Sequence, residues 1–147
     1  MSAQFHSKHG IVSRPAAELY MGFTDMRNFL AMLPEDKKQG MTADFDTIRA
    51  SVQGFTIGVK VTRREPYSYI ELQDDGAPFK FVVELHFDAY EDASKTDFSI
   101  NVDADLNLMM KMMIGKKLQE ALDKVVDGLV AVSEGRRPEG MPEDFKF

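Results

Sequence analysis

Apolar positions change their spacing along the chain, and each change marks a different kind of element. Between Pro15 and Leu33 they recur at helical intervals: Ala16, Leu19, Tyr20 and Phe23 form one stripe, and Met26, Phe29, Leu30 and Leu33 a second that stops before Pro34. A proline in the first turn of a helix loses no hydrogen bond, so Pro15 reads as a helix start. Thr24 or Asp25 supplies the oxygen that caps the second helix. Ahead of this pair, FHSKHGIVS, Phe5 to Ser13, reads as a strand.

From Thr47 onward the period falls to two, the spacing of strands with one dry and one wet face. Turn signals at Gln53-Gly54, Glu65-Pro66, DDGAP (74–78) and EDAS (91–94) divide the run, which predicts an antiparallel meander. Residues flanking a two-residue turn point to the same side, so each turn carries the face assignment to the next strand. Val52 pairs with Phe55, aligning Ile48 and Ala50 with Ile57, Val59 and Val61. Across Glu65-Pro66, Arg64 pairs with Tyr67 on the outer side, which leaves Arg63, Ser68, Ile70 and Leu72 inside. Phe79, Phe81, Val83, Leu85, Phe87 and Ala89 continue the inner face, followed by Thr96, Phe98, Ile100, Val102, Ala104 and Leu106. Lys80, Glu84, His86 and Asp88 lie outside with Asp97, Ser99, Asn101, Asp103 and Asp105.

The dry face needs a cover, and the helical segment NLMMKMMIGKKLQEALDKVVDGLVAV (107–132) is the only long apolar element left. At about 100° per residue, Met110, Ile114, Leu118, Ala121, Leu122, Val125, Leu129 and Val132 make one stripe, with Lys116, Glu120, Asp123 and Asp127 opposite. Met109, Met112 and Met113 fall off that stripe. Because helices that are apolar all round are usually buried, the second amino-terminal helix, with Phe29, Leu30 and Leu33, is expected to shield Met112 and Met113.

Length and charge narrow the function. A chain of 147 residues is one domain, expected over residues 1–134, followed by a Gly- and Pro-rich tail at 135–147 in which Phe145 and Phe147 dock locally. The net charge of −6, without a basic run, argues against nucleic acid as a partner. Zero cysteines exclude a disulfide framework, a thiolate nucleophile and thiolate metal ligands. No stretch approaches the apolar length of a membrane span or a signal peptide, so stable membrane insertion is not expected and a cytoplasmic location is.

The order of strand, two short helices beginning at a proline, long meander and long carboxy-terminal helix resembles the START-like or SRPBCC superfamily, which includes polyketide cyclases, aromatase/cyclases and lipid-transfer proteins. The resemblance rests on GIVSRPAAELYMGFTDMRNFLAMLP (10–34) and on the 107–132 helix, and covers nearly all the chain before the tail. It implies an α+β helix-grip fold of about six strands around a cavity whose contents it leaves open. Family cyclases carry polar groups inside that cavity, and no such set is matched here.

Individual motifs add little chemistry. DADLN (103–107) opens like a calcium loop, but Leu108 stands where the glycine is needed and Ile114 where the last carboxylate is needed, so it reads as outward strand acids and an Asn107 helix cap. The three histidines, His6, His9 and His86, do not converge: His6 and His9 have opposite parity on one strand and His86 lies outside, so no metal site is expected. The reading is binding of a small hydrophobic molecule, without a cofactor, by Val59, Phe81, Val83, Leu85, Ile100 and Val102 of the sheet and Met110, Ile114, Leu118 and Leu122 of the helix, with Arg63 at the cavity mouth. Five inward phenylalanines (55, 79, 81, 87, 98) compete for the same space. The alternatives are a cyclase- or dehydratase-like enzyme using Tyr20 or Arg63, and an interaction module using the Met109, Met112 and Met113 surface. A homo-oligomer is compatible with either.

Overall fold

The computed structural model of the chain describes residues 2–32, 35, 38–52, 55–77 and 79–135. In chain order its elements are β1 (Ser2–His6), β2 (Gly10–Val12), α1 (Ala16–Phe23), α2 (Met26–Met32), β3 (Met41–Ala43), β4 (Thr47–Val52), β5 (Phe55–Glu65), β6 (Tyr69–Asp74), β7 (Phe81–Tyr90), β8 (Lys95–Asp105) and α3 (Leu108–Ser133). One curved antiparallel sheet runs β1-β8-β7-β6-β5-β4-β3, and β2 also pairs with β8. This is the helix-grip arrangement, with eight strands among the described residues rather than about six. The surplus has two sources. The segment read as one strand breaks at Ser7, whose hydroxyl accepts the Ile100 N–H at 2.8 Å in place of a ladder carbonyl. The short β3 lies where the pattern predicts no element.

Local chemistry places the ends as the sequence predicts. Pro15 is extended and α1 starts at Ala16, while the Asp25 carboxylate accepts the Arg27 N–H at 3.0 Å to open α2. Asn107 Oδ1 accepts the Met110 N–H at 2.8 Å, so DADLN is a strand end and a helix cap. Val52 is the partner of Phe55, and EDAS joins Tyr90 to its partner Lys95. Leu33, Pro34, Gln53, Gly54, Pro78 and the tail from residue 136, with Phe145 and Phe147, lie outside the described residues, as does the side chain of Phe55.

One turn departs from the prediction. Glu65 pairs with Tyr69, so the connection is Pro66-Tyr67-Ser68 with Tyr67 at φ 67°, and a β-bulge between Val61 and Arg63 sets Arg64 opposite Ile70. An extra residue in one strand inverts its alternation from that point on. Arg64 therefore turns inward, Arg63 joins Thr62 on the outer face opposite Glu71, and Ser68 is an exposed turn residue.

The tightest part of the core is aromatic. Phe23 of α1 stacks on Phe98 at 5.5 Å, Phe98 lies 5.4 Å from Phe87, and Tyr20 meets the edge of Phe87 at 6.4 Å. Helix α3 is seated mainly on β1, β2 and β8. Two glycines set that seat: a Cβ at Gly10 would stand 2.5 Å from Val126 Cγ1, and one at Gly115 would stand 3.5 Å from the Phe5 ring. The buried face of α3 thus includes Gly115, Val126 and Ser133 beside Leu122 and Leu129, and Ala121 and Val125 of the predicted stripe are exposed.

The expected shielding of the methionines is overturned. Leu108, Met109, Met112 and Met113 are 63%, 70%, 76% and 68% exposed. The reason is strand direction. Both β1 and β2 run antiparallel to β8, so the chain leaving β2 arrives beside the start of β8, while α3 begins where β8 ends. Helices α1 and α2 therefore stand at the carboxy-terminal end of α3, where Ser133 Oγ accepts the Ser13 N–H at 3.0 Å.

Candidate functional site

Because α3 rests on one side of the sheet, the inner faces of β4 to β7 are only partly roofed. Ile48, Val59, Val61, Phe79, Phe81 and Val83 are half-buried, and so are Met110, Ile114 and Leu118 on the helix. Both apolar surfaces, one on the sheet and one on α3, keep solvent access. Of the residues singled out from the sequence, Val59, Phe81, Val83, Met110, Ile114 and Leu118 share this half-open surface, while Leu85, Ile100, Val102 and Leu122 form the closed floor beside it. The outlier is Arg63, which stands on the outer face over the Tyr69 ring at 5.5 Å and pairs with Glu65 at 3.1 Å. Ile48, Val61 and Phe79 join the half-open set, and their inward parity is the signal that marks them.

Polar groups with inner parity are all engaged. Arg64 Nε donates to Thr24 Oγ1 at 2.5 Å and Nη2 to Thr24 O at 2.8 Å. Its Nη1 lies 2.9 Å from the Asp46 carboxylate, and the guanidinium covers the Phe45 ring at 4.5 Å. Arg64 therefore rivets the α1–α2 junction and the Asp44–Asp46 loop to β5. Adjacent arginines carry no sequence signal that tells which one faces in. Thr96 is fully buried and donates to Arg14 O at 2.7 Å. Mid-strand inner positions among the described residues hold no titratable group, and their exposed apolar surface is in contact with water.

Titratable chemistry gathers on the opposite face of the sheet. The Tyr69 hydroxyl lies 3.0 Å from Glu71 and 2.9 Å from Glu84, Glu84 lies 3.2 Å from His86, and His6 Nδ1 lies 2.7 Å from Asn101 Oδ1. A hollow of about 330 Å³ opens beside this network, with Gln4, His6, Glu84, Asn101 and Asp103 among its walls. His9 pairs with Asp97 at 2.8 Å, so all three histidines lie on the outer face rather than at opposite parity, each with its own partner. Burial first, then the two carboxylates, raise the Tyr69 phenol well above its ordinary range. The Thr62 hydroxyl, ahead of Tyr69 and Gln73, lowers Glu71. Burial opposes ionisation of Glu84, but His86, Tyr69 and Asn101 together outweigh it and lower it too.

A carboxyl lowered in the folded state contributes stability above its unfolded pKa and loses it as pH falls. Glu71 and Glu84 should therefore add to acid destabilisation below about pH 5. Thr62→Val, which removes the main donor to Glu71, is expected to flatten the fall in urea midpoint between about pH 5 and about pH 3. An unchanged slope would show that this network does not hold Glu71 ionised.

No family model matches the chain, and no curated relative matches it. Solved structures do. A protein of Thermobifida fusca superposes with a TM-score of 0.68 at 10% identity, covering 91% of this chain and 96% of that one. A point mutant of norcoclaurine synthase from Thalictrum flavum, in complex with a transition-state analogue, superposes with a TM-score of 0.62 at 10% identity, covering 92% and 96%. A Chromobacterium violaceum protein reaches 0.57 at 16% identity, covering 90% and 97%. These likenesses establish the fold, which is helix-grip or Bet v1-like.

Proposed function

We propose that the chain is a member of the SRPBCC superfamily that binds a small hydrophobic molecule, lipid-like or aromatic, in the cleft between the inner sheet face and α3, without converting it. The observation that carries this reading is the pair of half-buried apolar surfaces, one on the inner sheet face and one on α3, in a fold that otherwise closes its core completely around Phe87, Phe98 and Ile70. Apolar surface left in contact with water at about 25 cal/mol per Å² is a standing driving force for a ligand that fits. The enzyme reading has less to stand on. Tyr20 is buried against the Tyr67 and Phe87 rings, and Arg63 faces away from the cleft.

Val83 is the wall position to test, since it is half-open where Ile100 is already closed in. Val83→Phe should weaken binding of a polarity-sensitive probe such as N-phenylnaphthylamine at least tenfold, about 1.4 kcal/mol, while the protein stays folded. His86→Ala, on the outer face, should leave affinity unchanged. Normal binding by Val83→Phe, or no binding by the unaltered protein, would remove the cleft as the site.

A further inference from the structure

Among the described residues the most exposed apolar group is the start of α3. Single exposed apolar residues are ordinary, but Leu108, Met109, Met112 and Met113 lie within six residues and are all at least 63% exposed. Advancing at about 100° per residue, they cover one continuous arc of about 140°. Lys111 lies among them, Lys116 and Lys117 follow on the next turn, all three are exposed, and the segment 108–119 contains no acidic residue. A chain with a net charge of −6 thus gathers three positive charges beside this exposed apolar patch.

We propose that this segment is a reversible docking surface for an anionic lipid bilayer, through which an apolar molecule passes between the membrane and the cleft. Charge decides the occupant. A second copy, meeting this face across a two-fold axis, would set the same three lysines against themselves. An anionic headgroup layer instead complements them, and lysine stems reach the headgroups while methionine and leucine enter the acyl boundary. Unbranched methionine suits a fluid partner that offers no fixed shape. The net negative charge of the rest of the chain is screened beyond roughly 8 Å at physiological salt, so the local patch governs contact. Among the described residues no helix is long and apolar enough to cross a membrane, which fits contact from one side.

The position of the patch gives the docking its use. Met110 and Ile114, on the same turns, form part of the cleft wall, and Phe81 lies opposite Ala104 at this end of β8. Seating the helix start among headgroups brings that end of the cleft to the lipid. The transfer step rests on the cleft reading above, whereas docking does not.

The test is co-sedimentation of the full chain with vesicles of phosphatidylcholine alone or with about 30% phosphatidylglycerol. Binding should be at least roughly tenfold tighter to the anionic vesicles and should weaken with salt. The double variants M112S/M113S and K116E/K117E should each lose at least roughly tenfold, with unchanged circular dichroism because all four side chains are exposed. Anionic vesicles should also slow peroxide oxidation of Met112 and Met113. No binding by the folded protein, or full binding by M112S/M113S, overturns docking. So does a dimer in light scattering that M112S/M113S dissolves, which would assign the patch to a second copy. The two readings separate cleanly: Val83→Phe should lose the probe and keep the vesicles. Vesicle binding without probe binding by the unaltered protein overturns transfer and leaves docking standing.

Discussion

Phe98→Ala is expected to destabilise the protein by about 3–5 kcal/mol, among the largest effects of any single truncation in the chain. Phe98 is fully buried, and its neighbours are anchored independently: Phe87 on β7, Phe23 on α1 and Gly10 directly across on β2. None of the three backbones can close the gap without surrendering its own packing, so the cavity persists and its cost adds to the lost transfer energy. Urea denaturation reads the effect as a lower midpoint at constant slope. A loss below about 1.5 kcal/mol would mean that the aromatic cluster collapses freely and is not the rigid end of the core.

A charge on the inner face should do at least as much damage. Leu85 is 4% exposed between its partners Ile70 and Ile100. Leu85→Asp leaves a carboxylate among aliphatic side chains, and the inward Arg64 of β5, beyond Ile70, is already held by Thr24 and Asp46, so the change is expected to cost about 4 kcal/mol or to prevent folding. Three residues on, Asp88 is exposed and stands opposite Asp97, so Asp88→Ala removes one of two like charges and should move stability by less than about 0.5 kcal/mol. Similar shifts for the two variants would refute the assignment of faces.

That assignment was legible in the alternation of apolar residues wherever hairpins were regular. Ile100, Val102 and Leu85 sit where period two puts them, and Asn107 caps α3 as its side chain predicts. The reading failed where a feature leaves no apolar trace. The bulge after Val61 falls in the polar run Thr62-Arg63-Arg64, where one residue more or less costs no hydrophobic contact, so parity could not show it. The seat of α3 leaves no hydropathic trace for a related reason. A stripe of large side chains reads as the packed face, but the closest approach is made by Gly10 and Gly115, whose contribution is the absence of a side chain. Within the bulky stripe, Leu122 and Leu129 are closed in while Met110, Ile114 and Leu118 stay half-buried. The exposure of Met112 and Met113 followed from strand direction, which the turns imply but hydropathy does not encode.

The tie between the two ends of the chain also governs the order in which the molecule can be made. Gln119 Nε2 donates to His6 O across 113 residues, Lys8 N–H donates to Asp123 Oδ1 across 115, and both β1 and β2 find their partner in β8. On a ribosome adding about 5–20 residues per second, that separation is a wait on the order of ten seconds. Throughout it Ala3, Phe5 and Val12 have no surface to pack on, because the strand and the helix that will cover them do not yet exist. The meander from β4 to β7, by contrast, pairs neighbours as they emerge. The amino-terminal strands are thus synthesised first and placed last, joining a sheet already built rather than starting it.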